Sequence, residues 1–183
     1  MKNKRNIFAV IFLLVLIIIV SCINYKKIEK VFYPIKYSKY VEYYSRKYNI
    51  DKYLVYSVIK TESKFKEKAT SNKGAKGLMQ ITDITAKWAA KELKLEKVDI
   101  YDPKTNIMIG TWYLGRLKKE FKEDFDLVIP AYNGGSGNVR KWLQSHNYSD
   151  DGKKLKDIPF RETSNYTRKV IENYKKYKEI YEK

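Results

Sequence analysis

Residues 61–80 have the sequence TESKFKEKATSNKGAKGLMQ, which places two carboxylates, Glu62 and Glu67, among lysines. The residues before them predict a helix over 51–63, because apolar side chains recur there at helical spacing and Asp51 is a suitable N-cap. Glu62 continues the apolar stripe of this helix, whose other members are Leu54, Val55, Val58 and Ile59. A carboxyl at the edge of such a stripe is partly desolvated, which favours its protonated form and makes it a candidate general acid. If the helix ends there and the side chain reaches water, Glu62 is an ordinary surface charge.

The loop after this helix has a composition that is typical of loops lining a ligand-binding site. Its two glycines permit tight turns and a close approach of the backbone, and Leu78 and Met79 can line an apolar surface. Gln80 carries an amide that can both donate and accept hydrogen bonds, which suits sugar hydroxyls. The later segments AYNGGSGN (131–138) and FRETSNY (160–166) add amides, phenols and a further carboxylate. Together these groups favour a carbohydrate polymer as the ligand.

Other kinds of site find little support in the sequence. His146 is the one histidine and stands in a polar stretch, so a Ser-His-Asp triad is not indicated. Cys22 is the one cysteine, so no disulfide can form within the chain. Zinc-binding clusters, phosphate-binding glycine motifs and EF-hand loops are absent from the sequence. We therefore expect no cofactor and no metal, which leaves acid–base chemistry by carboxylates.

The charge of the chain indicates an anionic partner without identifying it. In 183 residues, 38 lysines and arginines stand against 21 acids, a formal net charge of +17. Such an excess suits nucleic acid, anionic lipid or an anionic polymer. The basic residues are spread along the whole chain, so a solvated lysine-rich surface is an equal alternative.

Beyond the N-terminal region the sequence predicts one all-α domain. Helical spacing recurs throughout, and no run alternates with the period of a strand. Thr82 and Asp102 are expected N-caps, Pro103 occupies the favoured first helical position, and Pro130 should interrupt or bend a short helix. Residues 134–138 are expected to form a loop. The remaining predicted helices cover residues 36–48, 82–93, 102–121, 126–133, 138–144 and 163–181.

The first 25 residues predict a membrane anchor or an export signal. A basic start precedes the uncharged run IFAVIFLLVLIIIV (7–20), which together with its neighbours is long enough to span a bilayer. The basic end should stay in the cytoplasm. IVSC (19–22) is also similar to a bacterial lipoprotein cleavage motif, with Cys22 as the lipidated residue, and simple cleavage is a third alternative. We expect the chain at the cell membrane with its folded part outside the cytoplasm, divided into residues 1–25 (anchor or signal), 26–35 (tether) and 36–183 (domain).

Four segments, in this order, resemble the Slt-type (family 1) lytic transglycosylases. They are ESKFKEKATSNKGAKGLMQ (62–80), NIMIGTWYLGRL (106–117), AYNGG (131–135) and PFRETSNYTRKV (159–170). The resemblance covers roughly residues 38–178. It implies an all-α, two-lobed, lysozyme-like fold with a cleft between the lobes, so that residues 36–183 form the catalytic domain. Gly135 and Pro130 depart from the family, which often has alanine at both positions.

The resemblance also implies roles for individual residues. Glu62 matches the single catalytic acid/base of the family. Glu162 matches a residue that supports the site by hydrogen bonding. The positions that match substrate-binding residues are Ser71, Met79, Gln80, Tyr132, Asn133 and Tyr166.

The implied reaction cleaves the β-1,4 bond between N-acetylmuramic acid and N-acetylglucosamine in peptidoglycan and leaves a 1,6-anhydro end. A lone glutamate fits this reaction, because ordinary glycosidases need two carboxylates. A lysozyme-type muramidase and a non-catalytic peptidoglycan-binding module are the alternatives. We expect glycan strands and, through the N-terminal segment, the membrane as partners, no nucleic acid, and a monomer. The basic surface then suits anionic wall polymers or the membrane face.

Overall fold

The computed structural model describes residues 11–16 and 27–182. Within these ranges the regular secondary structure is helical, apart from isolated bridges that join Lys76 to Thr70 and to Ile81. This confirms the predicted all-α class. The helices of the domain are α1 (Ser38–Tyr48), α2 (Lys52–Ser63), α3 (Asp83–Leu93), α4 (Pro103–Glu120), α5 (Phe125–Gly134), α6 (Ser136–Leu143) and α7 (Arg161–Tyr181).

The predicted N-caps begin three of these helices. The Asp51 carboxylate accepts a hydrogen bond from the backbone N–H of Tyr53 at 2.7 Å, and the Asp102 carboxylate accepts one from Thr105 at 2.8 Å. The hydroxyl of Thr82 caps α3 in the same way. Each cap stabilises its helix by about 1 kcal/mol, and together they set where α2, α3 and α4 start.

The predicted loop over 134–138 is wrong. α5 runs through Pro130 to Gly134, and α6 begins at Ser136, so that Gly135 alone separates the two helices. Gly135 has φ +86°, a conformation that glycine adopts without strain, and it turns the chain sharply enough for the helices to abut. The Asn138 amide then donates to the carbonyl of Gly134 at 2.7 Å, which satisfies the end of α5.

α2 is buried over most of its length. Its predicted apolar stripe is confirmed, since Leu54, Val55, Val58 and Ile59 are each at most 1% exposed. α2 packs chiefly against α7, and α1 packs chiefly against α4. Rings of Tyr56 and Tyr177 stack at 5.6 Å across the α2–α7 contact. This stack fastens the middle of α2 to α7, about one and a half turns before Glu62.

The segment before α1 contacts the domain where it is described. Residues 27–32 form a short helix, the ammonium group of Lys60 donates to the carbonyl of Phe32 at 2.6 Å, and the hydroxyl of Tyr181 donates to the carbonyl of Tyr33 at 2.7 Å. Most of the expected anchor over residues 1–25 lies outside the described residues. In the part of the chain that is described, no helix has both the length and the apolar character needed to cross a membrane.

Candidate active site

Glu62 lies in the last turn of α2, where the buried stripe meets the surface. Its carboxyl is partly buried, and this desolvation raises its pKa from the ordinary 4.5 to about 7. The hydroxyl of Tyr166 lowers the pKa of Glu62 by favouring the charged form. The negative charge of Glu162 raises it further. At neutral pH the group is therefore divided between its protonated and its charged form, as an acid that must also act as a base requires.

Two tyrosines on neighbouring helices flank this carboxyl. Burial, and next the charge of Glu62, raise the pKa of both Tyr132 on α5 and Tyr166 on α7 well above the ordinary value, so both remain neutral phenols. The hydroxyl of Tyr132 donates to the carbonyl of Met79 at 3.0 Å. Among the described residues, the buried hydroxyl of Tyr166 has no hydrogen-bond partner of ordinary geometry. It lies near enough to Glu62 to influence the pKa of the carboxyl, and its proton can turn toward that group.

The loop between α2 and α3 is fastened to α4 by Asn106, a residue that the sequence analysis did not select. Its side-chain oxygen accepts from the backbone N–H of Met79 at 2.7 Å. Its amide donates to the carbonyls of Lys76 at 2.9 Å and Ile100 at 2.7 Å. A Cβ atom on Gly77 would lie 2.2 Å from this amide, so the glycine is required for the close approach. The sequence does contain one indication of this role, since Asn106 is a polar residue within an apolar face of its helix.

Two predicted substrate-binding residues of this loop, Ser71 and Gln80, have structural contacts of their own. The Ser71 hydroxyl accepts from the backbone N–H of Ala75 at 3.0 Å and holds a tight turn. The Gln80 amide nitrogen donates to the carbonyls of Ala69 and Gly77, which leaves its oxygen for a ligand.

Met79 requires a correction. Its side chain is fully buried and packs on Gly110 of α4, where a Cβ atom would lie only 2.4 Å from the sulfur. The expected direct contact of this side chain with a sugar is therefore not available. Met79 instead supports the wall of the site from behind, and its backbone carbonyl holds the Tyr132 hydroxyl.

A groove beside these residues is formed by two cavities that share Asn133 and Gly134. One cavity of about 280 Å³ is also lined by Gln80, Ile81, Thr82, Thr85, Tyr113, Tyr132 and Gly135. The other, of about 340 Å³, is also lined by Lys73, Phe160, Arg161, Glu162 and Thr163. The Asn133 side-chain oxygen accepts from the hydroxyl of Thr163 at 2.8 Å, which fixes the amide where the cavities meet. Two larger surface cavities, of about 610 and 660 Å³, contain none of the predicted site residues.

Glu162, the expected supporting residue, lies at the start of α7 on the rim of this groove. Its carboxylate forms an exposed ion pair with Lys73 at 2.7 Å, which links α7 to the loop between α2 and α3. An exposed pair of this kind contributes at most about 1 kcal/mol. The structure thus brings Glu62, Tyr132 and Tyr166 together and arranges Gln80, Asn133 and Glu162 along the adjoining groove.

Solved structures define the class of this domain. The 70-kDa soluble lytic transglycosylase of Escherichia coli matches it with a TM-score of 0.71 and 29% sequence identity, over 80% of this chain and 25% of that one. An inactive mutant of the lytic transglycosylase Slt of Pseudomonas aeruginosa matches with a TM-score of 0.70 and 25% identity, over 80% and 24%. The predicted lysozyme-like fold is confirmed. The chain belongs to the transglycosylase SLT domain family, whose model matches residues 39–155.

Curated relatives carry the corresponding names. The putative soluble lytic murein transglycosylase of Haemophilus influenzae is 33% identical over 146 residues, which is 75% of this chain and 24% of the relative. The soluble lytic murein transglycosylase of E. coli is 33% identical over 144 residues, 76% of this chain and 22% of that protein. Membrane-bound lytic murein transglycosylase C of Shigella sonnei is 36% identical over 116 residues, 57% and 32%. The chain thus spans about a quarter of the length of the first two relatives.

Proposed function

We propose that this chain is a peptidoglycan lytic transglycosylase that cuts the glycan strand between N-acetylmuramic acid and N-acetylglucosamine. The observation that carries the proposal is the position of Glu62, whose desolvated carboxyl has a pKa of about 7 beside two neutral tyrosines and a polar groove. A carboxyl poised near neutral pH can give up a proton in one step and take one in the next. Membership of the family and the names of the relatives support the same reaction.

The reaction needs one carboxyl used twice. Protonated Glu62 donates its proton to the glycosidic oxygen as the bond to C1 of the muramic acid breaks, and N-acetylglucosamine leaves. The N-acetyl oxygen of the muramic acid stabilises the positive charge at C1. The Glu62 carboxylate then takes the proton of the C6 hydroxyl, and that oxygen bonds to C1. The product carries a 1,6-anhydro ring, Glu62 is protonated again, and no water is consumed.

The proposed binding groups for this substrate belong to the groove and to the residues around Glu62. The oxygen of Gln80 and the amide of Asn133 face the polar hydroxyls of the sugar, Tyr132 and Tyr166 lie beside the reacting bond, and the Ser71 hydroxyl can donate from the turn that it holds. Desolvation by the bound strand raises the pKa of Glu62 further and keeps the acid form available for the first step.

Product analysis tests the proposal. Purified peptidoglycan is digested with the detergent-solubilised full chain, and the released muropeptides are analysed by mass spectrometry. We expect ends that are lighter by one water than hydrolysed ends. Glu62→Gln should fold and lose activity by at least about 10²-fold, the usual contribution of a positioned acid/base. A Glu62→Gln variant with activity near that of the wild type would refute the assignment.

The muramidase alternative has one observation in its favour, since the charge of Glu162 reaches Glu62 strongly enough to raise its pKa. Glu162 is exposed and paired with Lys73, however, which is a poor arrangement for activating a water molecule. Hydrolysed ends would establish the muramidase, and binding without any released product would establish the non-catalytic module.

We further propose that the enzyme is held at the cell membrane by its N-terminal segment, with residues 36–183 outside the cytoplasm. The apolar run over residues 7–20 and the membrane-bound relative support this location. An uncleaved anchor and lipidation at Cys22 predict different covalent structures, because only the lipoprotein carries a fatty acid on Cys22. Metabolic labelling with a radioactive fatty acid, compared between the wild type and Cys22→Ala, distinguishes them, because only a lipoprotein loses label in the variant. A chain that labels in neither form and is released by alkaline carbonate would exclude both.

A further inference from the structure

A surface cavity of about 660 Å³ lies outside the site that contains Glu62. We call this surface the basic face and define it by its lining residues. Four lysines contribute to it, together with four apolar or aromatic side chains and one acid. The lining consists of Lys36, Lys60, Lys64, Lys169, Val31, Phe32, Pro34, Phe65, Thr61, Asn173 and Glu172.

The short helix over residues 27–32 gives the basic face an exposed apolar edge. Ile28, Val31 and Phe32 are 53%, 76% and 64% exposed. They are spaced at i, i+3 and i+4, which places them on one side of the helix. A row of lysines beside such an apolar side is typical of helices that lie at a membrane interface. There the lysines contact lipid headgroups and the apolar side chains enter the boundary of the acyl chains.

Contacts at its C-terminal end hold this short helix in place. The Tyr33 ring packs edge-on against Tyr177 at 5.3 Å. The Lys60 ammonium donates to the carbonyl of Phe32 and lies 4.4 Å from the centre of the Tyr33 ring. The hydroxyl of Tyr177 also donates to the carbonyl of Pro34 at 3.2 Å. The exposure of Val31 and Phe32 is therefore a fixed feature of the domain surface.

We propose that the basic face docks on an anionic phospholipid bilayer, with Lys36, Lys64 and Lys169 against lipid phosphates and with Val31 and Phe32 inserted between headgroups. Charge complementarity selects this occupant, because four lysines and one acid line the cavity. A lysine near an anionic bilayer strengthens binding by about 1 kcal/mol, or about fivefold. The exposed apolar edge selects lipid over a polymer that carries charge alone.

Docking of this face would orient the active site. Lys60 lies in the last turn of α2, two residues before Glu62, and Lys64 is the C-cap of this helix. At 3.6 residues per turn, Glu62 is rotated by about 200° from Lys60 around the helix. The bilayer and the reacting carboxyl then lie on opposite sides of α2, and the active site is turned away from the lipid.

A depth-sensitive probe on the full chain tests the docking. The fluorophore NBD is attached to single cysteines introduced by Val31→Cys or Phe32→Cys in a Cys22→Ser background, and the protein is reconstituted into vesicles of phosphatidylcholine with or without phosphatidylglycerol. We expect blue-shifted emission at both positions, quenched by lipids with a doxyl group, when phosphatidylglycerol is present. Lys39→Cys, exposed on α1, and Ile84→Cys, exposed on α3, are matched controls that should keep aqueous emission. Circular dichroism checks the fold of each variant.

Charge reversal provides the second measurement. Lys36→Glu, Lys64→Glu and Lys169→Glu together should shift the ratio of inserted to free probe by about 100-fold or more in anionic vesicles, with Lys60 kept because it holds the short helix. Aqueous emission at residues 31 and 32 in anionic vesicles would overturn the proposal. Equal insertion into neutral vesicles would also overturn it, as would salt-sensitive binding of the basic face to anionic wall polymer without any insertion into lipid. None of these outcomes depends on whether the enzyme cleaves peptidoglycan.

Discussion

The buried phenol of Tyr166 lies beside the carboxyl of Glu62 and favours its charged form, whereas burial of the same carboxyl favours its protonated form. Burial is the larger effect, and the pKa of Glu62 rises to about 7. Tyr166 comes from α7 and Glu62 from α2, the two helices that pack most extensively on each other. The packing of α2 against α7 therefore sets the pKa of Glu62, because it both buries the carboxyl and places the Tyr166 hydroxyl beside it.

Tyr166→Phe should move the alkaline limb of the pH–activity profile upward. Loss of the hydroxyl removes the effect that favours the charged carboxyl, so the pKa of Glu62 rises further and the acid form persists to higher pH. The profile of kcat/KM on soluble glycan fragments measures this. Tyr132→Phe, which removes the bond to the Met79 carbonyl, is the matched control and should leave the limb in place. A limb that moves to lower pH in Tyr166→Phe would contradict the prediction.

Glu62→Gln should be more stable than the wild type at neutral and alkaline pH. The folded-state pKa of about 7 lies above the ordinary 4.5, so between these values the folded chain holds a proton that the unfolded chain has released. The free energy of unfolding therefore falls as pH rises from 4.5 to 7 and stays low above it. Glutamine cannot ionise, so the variant does not lose stability in this way. Its free energy of unfolding should exceed that of the wild type by about 2 to 3 kcal/mol at pH 8 and should equal it at pH 4. Urea unfolding at both pH values measures the gain, and a difference independent of pH would argue against a desolvated Glu62.

Burial of α2 could be predicted from the sequence, because periodic apolar side chains are spaced as the packing requires. The stripe from Leu54 to Ile59 and the partial burial of Glu62 follow from that spacing. The caps at Asp51 and Asp102 are equally local, since each depends on residues within one turn.

Features that depend on distant residues could not be predicted in this way. Met79 is apolar and could face either the groove or the core. It packs in the core because Gly110 on α4 leaves space for its side chain there. Asn106 bonds to a loop that is about thirty residues away in sequence, so helical spacing does not reveal its role. The stretch over residues 134–138 has the composition of a loop, yet one positive φ at Gly135 lets two helices abut.

Glu162→Gln should keep most of the activity and the anhydro products. Loss of its charge removes one cause of the raised pKa of Glu62, so the alkaline limb should move slightly to lower pH. Lys73→Ala breaks the same exposed ion pair but keeps the Glu162 charge, and it should not lower the limb. Loss of activity by about 10²-fold or more in Glu162→Gln, with hydrolysed products in the wild type, would identify a second catalytic carboxylate.

Asn106→Ala should destabilise the domain by about 3 kcal/mol. The change leaves the N–H of Met79 and the carbonyl of Ile100 without partners, whereas the carbonyl of Lys76 keeps its bond from the N–H of Ile81. Each unsatisfied buried group costs about 1 to 3 kcal/mol. Asn106→Asp should be worse, because a carboxylate would face two carbonyls. Asn173→Ala, which removes a single bond to Thr61 at 3.0 Å, is the control and should lower the free energy of unfolding by about 1 kcal/mol or less. Equal losses in the two alanine variants would show that Asn106 does not fasten the loop.

Gly110→Ala should destabilise the domain although alanine is the better helix former. In α4 the added methyl group would lie 2.4 Å from the Met79 sulfur and 2.9 Å from its Cβ. The sulfur can rotate away but the Cβ cannot, so backbone must move, at a cost of about 1 to 3 kcal/mol. In α6, a methyl group on Gly137 would meet only an Arg140 nitrogen at 3.9 Å, so Gly137→Ala should instead stabilise by up to about 1 kcal/mol. Thermal unfolding compares the two variants. Combining Gly110→Ala with Met79→Ala should lose less than the sum of the single changes, because alanine at position 79 removes the contact with the sulfur and leaves only the contact with Cβ. Stabilisation by both glycine substitutions would mean that Met79 does not pack against Gly110.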